Sequence, residues 1–193
     1  MLRKTMTAWL WNWKRLAVSV CGSQIVEFAV TAPLLVVFVV GIYDFGQAFN
    51  TREKLNFTAR DAARFASTQP TNDLSLSAPP SVAAVRDLVD ADLLAAGLSD
   101  CGLGVIAPGG TLVWTATGAC SNGATLTLTI DRGFVVPPVA GASQPGVQQI
   151  ATRIDLQYPY QWQFNGVIQL VAPGATFAGI TMIDTDAFEV NQD

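Results

Sequence analysis

The stretch Phe28–Tyr43, FAVTAPLLVVFVVGIY, runs for sixteen residues without a charge, and polar chemistry resumes abruptly at Asp44. A membrane-spanning helix needs about 20 mostly apolar residues, in a range of about 17–25. Ile25 and Val26 before the run and Phe45 after it bring the segment to that length, although the extension encloses Glu27. The reading divides the chain into a leader, one spanning helix and an outer domain.

Upstream of the run lie Arg3, Lys4, Lys14 and Arg15, with no acidic residue before Glu27. The positive-inside rule therefore predicts a cytoplasmic amino terminus, with everything after Asp44 outside. The 193 residues carry 11 Lys plus Arg against 15 Asp plus Glu, a net charge of -4. Four of the basic residues fall in residues 1–22, so residues 23–193 hold seven against all 15 acids and a net charge of -8. Such an acidic body argues against nucleic acid as a partner, since its binders gather Lys and Arg into a patch. Histidine is absent altogether. That excludes Ser-His-Asp and Cys-His nucleophilic machinery and every histidine metal site, so neither an enzyme nor a cofactor is expected.

A conventional secretory signal places its apolar core directly after the basic residues and follows it with a small-residue cleavage site. Here the basic stretch ends in Gly22-Ser23-Gln24, the apolar run comes afterwards, and no Ala-x-Ala follows before Asn50. A lipidated Cys21 is disfavoured because Val20 is too large for the position before it. Trp9, Trp11 and Trp13, beside Lys14 and Arg15, read as a cytoplasmic membrane-interface stretch.

The order Gly22-Ser23-Gln24-Ile25-Val26-Glu27-Phe28 resembles the class III signal of type IV pilins and pseudopilins. The wider segment Val26–Phe49, VEFAVTAPLLVVFVVGIYDFGQAF, resembles the amino-terminal signature of the TadE-like minor pilins of the tight-adherence (Tad) pilus. Glu27-Phe28-Ala29, Pro33, Gly41-Ile42 and the Asp44-Phe45-Gly46 exit carry the likeness, which spans roughly Gly22 to Ala66. The resemblance implies cleavage by a prepilin peptidase between Gly22 and Ser23. It makes Glu27 the fifth residue of the mature chain, paired with the terminal amine of a neighbouring subunit. The partners it implies are the peptidase, other pilins and the pilus assembly machinery, and the lipid bilayer. The competing reading is an uncleaved single-pass protein whose outer domain binds a ligand or partner.

Each of these residues also has a physical reading. A charge at the centre of a membrane helix costs about 2.5–3.5 kcal/mol on insertion scales, so an intramembrane carboxylate usually has a partner. The alternative is that Glu27, near the cytoplasmic end, snorkels to water. Pro33 lacks an N–H and crowds the preceding turn, which predicts a kink or local melting. Gly41 and Gly46 permit close helix approach.

Beyond the run, Leu55, Ala59, Ala62, Ala63 and Ala66 recur at helical spacing, while Arg52, Lys54, Arg60, Asp61 and Arg64 fall largely elsewhere. The helix is therefore predicted to continue to Gln69-Pro70. From Ser23 to Ala66 it would be roughly 66 Å long if straight.

Residues 70–80, PTNDLSLSAPP, read as a loop. Ser81 is the expected cap of a second helix with Val82, Val85, Val89, Leu93 and Ala96 on one side and Gly97 as its stop. Asp87, Asp90 and Asp92 form an acidic cluster. A solvated helix face explains them better than calcium, because the ordered Asp spacing and glycine of a calcium loop are missing. Strands are expected at Leu112–Thr117, Ala124–Ile130, Ile150–Tyr160 and Phe177–Val190, with an Asn122-Gly123 turn before the second. Pro159 suits a sheet edge or a strand end.

If the leader is removed, Cys21 leaves with it, and Cys101 and Cys120 remain as an even pair in an oxidising compartment. They are expected to form a disulfide. Val167–Val171 and Phe177–Ile180 make a second apolar region, read as core in preference to a contact surface for a pilus partner. The expected fold is α+β, with a long amino-terminal helix, a second short helix and a small antiparallel sheet. Its parts are a leader at 1–22, a transmembrane helix at 23–46, an outer continuation at 47–69 and a head at 70–193.

Overall fold

The computed structural model describes residues 4–137, 148–164 and 179–192, with side chains described from Gly22 onward, Ser23 excepted. The elements follow the order α1 (Lys4–Ser67), α2 (Pro80–Ala95), β1 (Ala107–Gly110), β2 (Val113–Ala119), β3 (Thr125–Val135), β4 (Ile150–Gln161) and β5 (Ile180–Val190). The described parts of Met1–Phe45 and Gln163–Phe177 form one compact unit, and those of Gly46–Trp162 and Ala178–Asp193 form another. The fold is α+β, as the sequence predicts.

In the first unit α1 passes through Pro33 without interruption. Of the two responses expected at a helical proline, melting is therefore not the one taken. The Thr31 hydroxyl turns back onto the helix, donating to the Glu27 carbonyl at 3.0 Å and lying 3.4 Å from that of Phe28. Its polar group is thus satisfied inside an otherwise apolar run.

The second unit is built on one antiparallel sheet in the order β1-β2-β3-β4-β5. Its register stacks two buried rows. Trp114, Ile130, Ile154 and Ala187 lie opposite one another, as do Ala116, Leu128, Leu156 and Thr185. Strict alternation along β3 buries Leu126, Leu128 and Ile130 and leaves Thr125, Thr127 and Thr129 toward the other face. The buried face shares one core with Leu55, Ala59, Ala62, Ala63 and Ala66 of α1 and Val82, Val85, Val89 and Leu93 of α2. Alanine suits this position because a methyl group lets the helix backbone come close to the sheet.

Three details depart from the sequence reading. The first is α2, which starts at Pro80 with Pro79 before it, so Ser81 lies inside the first turn and is not its cap. The Ser81 N–H and hydroxyl each donate to the Asp73 carboxylate at 2.8 Å, and the loop aspartate fills the capping role. Proline at the first helical position sacrifices no hydrogen bond, because that N–H has no partner within the helix. At the other end Gly97 takes φ +71, the Leu98 N–H reaches the Leu93 carbonyl at 2.9 Å and the Gly97 N–H reaches Leu94 at 3.0 Å. This closure needs a left-handed residue, which explains the glycine. Lys54 of α1 adds its ammonium, donating to the Ala96 carbonyl at 2.7 Å.

The second is β1, a short strand at Ala107–Gly110 that is absent from the expected set. It pairs only with β2, at the sheet edge, where Pro108 removes no ladder hydrogen bond from the interior. The third is β3, which continues past Ile130 to Val135. An irregularity in its register between Asp131 and Phe134 accommodates the extra length. Phe134 then shares a face with Arg153 and Phe188: its ring is 5.5 Å from that of Phe188, and the Arg153 guanidinium lies 5.4 Å above it.

Pro159 falls where β4 has run past its pairing with β3, which ends at Gln157, so a strand-end proline is what the ladder contains. Cys101 and Cys120 are joined in a disulfide, with Cα atoms 4.4 Å apart. Val167–Val171 and the start of the expected Phe177–Val190 strand lie outside the described residues, as do the side chains of Trp9, Trp11 and Trp13.

Candidate functional site

The amino-terminal unit carries its apolar side chains outward. Phe28, Phe38 and Ile42 are 71%, 70% and 74% exposed, and Val26, Val30, Leu35, Val39 and Tyr43 are exposed as well. Gln24–Ser67 is long and apolar enough to cross a membrane, its best window having a mean hydropathy of 2.5 with none of it buried. A core helix of a water-soluble domain would bury that window. Monomers in water rarely leave apolar patches larger than a few hundred Å² uncovered. The surface therefore calls for lipid or for other apolar helices, and the helix is a membrane anchor.

At the start of this surface, Gly22 lies within α1 with no non-neighbouring atom within 4 Å of where a Cβ would sit. Glu27 is exposed five residues later, before the first turn of the charge-free run. Pro33 is exposed on the same helix, about 1.7 turns further on. Gly22, Ser23, Glu27 and Pro33 thus share one element, on which Glu27 is exposed.

At the far end of the run Asp44 is 1% exposed, and its Oδ2 accepts the Phe164 N–H at 2.7 Å. The Phe164 ring packs beside Gly41, where a Cβ would meet it at 3.7 Å. In the sequence Asp44 marked only the end of the apolar run. Its structural partner lies 120 residues away, and no local pattern points to it.

In the head, the acidic residues of α2 differ in their surroundings, although Arg86 acts on both Asp87 and Asp90. Asp87 pairs with Arg86 at 2.9 Å. Burial raises the Asp90 carboxyl, and a hydrogen bond and charge repulsion from Asp100 raise it further against the opposing pull of Arg86. Burial likewise raises Asp92, helped by the charge of Asp61. On the far face of the sheet Asp155 is raised by burial and then by Asp184 and Asp186, while Arg153 pulls it down. Asp73 behaves in the opposite way. Partial burial pushes it up, but the hydrogen bonds from Ser81 and the charge of Arg132 outweigh this and hold it below its ordinary value. Among the described residues no group of His, Cys, Asp and Glu is arranged to hold a metal ion.

An exposed apolar amino-terminal helix joined in one chain to a disulfide-bonded α+β head defines a membrane-anchored class of protein. Residues 22–64 match the family described as TadE-like protein, which makes this segment TadE-like and supports a TadE-like protein of the Tad pilus system. No curated protein and no solved structure matches the chain.

Proposed function

We propose that the protein is a minor pilin or pseudopilin, processed by a prepilin peptidase between Gly22 and Ser23, that takes part in Tad pilus assembly through its amino-terminal helix. The observation that carries the reading is a coincidence of boundaries. The TadE-like match begins at residue 22, the glycine where the basic leader ends and the exposed apolar helix takes over. Cleavage there would remove four of the 11 basic residues and create an amine on Ser23, four positions before Glu27.

In this reading the leader is cytoplasmic, residues 23–46 span the cytoplasmic membrane, residues 47–69 continue the helix outside and residues 70–193 form the exported head. On assembly, the apolar side chains exchange lipid for the helices of neighbouring subunits. The Glu27 carboxylate then meets the amine of a neighbour in a low-dielectric setting, where a pair is worth far more than at a wet surface. A kink at Pro33 would set the angle at which the helices leave that contact.

Glu27→Leu tests the role directly in cells that make Tad pili. The variant should insert and be processed as wild type does, yet be lost from sheared pilus fractions or fail to support piliation. Wild-type levels of assembly with Glu27→Leu would remove the pairing role.

A further inference from the structure

We propose that the small cavity beside the disulfide is a binding site for a neutral sugar ring, the terminal unit of a glycan. The cavity has a volume of about 240 Å³ and lies entirely within the head unit. Its wall is formed by Thr51 of α1, the Cys101–Cys120 bridge, Asn122, and Tyr158, Tyr160 and Gln161 at the end of β4. Small-molecule pockets usually hold about 300–1,000 Å³, so this one admits a single ring and not an extended ligand.

Charge selects the class of occupant. Among the described residues, no Lys, Arg, Asp or Glu lines the cavity. A phosphate, carboxylate or ammonium group would lose its hydration there with no counter-charge to replace it. The lining instead offers hydroxyl and amide groups next to aromatic carbon.

Several of those groups are held in one orientation. Asn122 Oδ1 accepts the Ala124 N–H at 3.0 Å, which turns the amide NH2 donors the other way. Tyr158 adds a phenolic hydroxyl to the same wall, beside Ser99. Tyr160 is steadied by an edge-on contact with Trp162, ring centroids 5.2 Å apart, and Trp162 Nε1 donates to the Thr181 hydroxyl at 2.7 Å. Gln161 adds an amide able both to donate and to accept. A pyranose matches this set. Its C–H face suits the negative face of an aromatic ring, and its neighbouring hydroxyls suit fixed amide and phenol donors. The disulfide holds one wall in place, which lowers the ordering cost of binding.

The inference rests on the head alone and is independent of whether the chain is processed or assembled. Saturation-transfer NMR on the full chain in nanodiscs, prepared without glycolipid or sugar-based detergent, tests it. The probes are methyl α-glucoside, methyl α-galactoside and N-acetylglucosamine, with N-acetylneuraminic acid as the anionic control. At least one neutral sugar should bind with a dissociation constant on the order of 1 mM. The Asn122→Ala, Gln161→Ala double variant should bind it at least tenfold more weakly with an unchanged circular dichroism spectrum. Gln161 is exposed, so Gln161→Ala alone serves if the double variant loses its fold. No transfer to any neutral sugar, undiminished transfer in the variant, or preference for the anionic sugar would overturn the proposal. So would binding of a neutral Gly-Ser-Asn-Gly peptide where no sugar binds, which would assign the cavity to polypeptide.

Discussion

The Arg132 guanidinium, carried by β3, donates through Nη1 to the Ala66 carbonyl and through Nη2 to the Gln69 carbonyl at 2.9 Å, closing the end of α1 with a buried cation. The last carbonyls of a helix have no partner within it, and the negative end of its dipole favours a positive charge. The same arginine lowers the Asp73 carboxyl, which caps α2. One side chain of the sheet therefore acts on the end of one helix and, through Asp73, on the start of the other.

Arg132→Ala should destabilise the head by about 2–4 kcal/mol, since it deletes two charge-assisted hydrogen bonds and the packing of a buried side chain. Arg132→Lys keeps the charge but not the two-pronged donor, and should recover only part of the loss. Thermal unfolding of the full chain in nanodiscs, followed by circular dichroism, ranks the three proteins. An Arg132→Ala protein as stable as wild type would remove Arg132 from this account.

Asp73→Ala should cost about 1 kcal/mol, the usual worth of a helix cap. Because its folded value lies below the ordinary 3.8, the stability it contributes is fully present above that value and is lost as pH falls through the lower folded one. Removing the side chain should therefore flatten the strongly acidic limb of the stability profile and leave the neutral limb parallel to wild type.

Asp90, Asp92 and Asp155 act in the opposite sense, because their folded carboxyls are raised. The folded head binds their protons more tightly than the unfolded chain does, so stability rises as pH falls from neutral through the raised values toward 3.8. Combined with Asp73, this places the maximum of thermal stability on the acidic side of neutrality. Asp90→Asn should raise the melting temperature at pH 7 and shrink the gain on mild acidification. A wild-type melting temperature that falls steadily from pH 7 to pH 5 would contradict the assignment.

Replacing Cys101 and Cys120 together by Ser should destabilise the head by about 3 kcal/mol, the chain-entropy value for a loop of this length. Reductant should reproduce the loss in the wild type and change nothing in the double variant. Gly118→Ala should weaken the same corner, because a Cβ there would lie 2.7 Å from the Cys101 carbonyl oxygen.

Much of this architecture is legible in residue order, where a single period dominates. The charge-free run at Phe28–Tyr43, the alanine stripe from Ala59 to Ala66 and the alternation of Leu126, Leu128 and Ile130 with threonines each state their own environment. The features that escape are those in which a distant group overrides a local signal. Ser81 looks like a cap because the partner that captures it, Asp73, is eight residues back in a loop. β3 looks finished at Ile130 because Asp131-Arg132-Gly133 is polar, yet Arg132 is buried, with its guanidinium donating to the Ala66 and Gln69 carbonyls at and just past the end of α1. β1 is missing from the expected strands because Pro108-Gly109-Gly110 carries no strand signal of its own and is tolerated at an edge whose pairing depends on β2. Asp44 reads as the return of solvent, whereas its carboxylate is held by the Phe164 backbone.

The amino terminus of the mature chain tests the central claim most directly. Mass spectrometry of the protein after co-expression with a matching prepilin peptidase should find a chain beginning at Ser23, and Gly22→Ala should leave the precursor intact. A wild-type chain still beginning at Met1 in that setting would contradict processing at Gly22 and restore the uncleaved, single-pass reading.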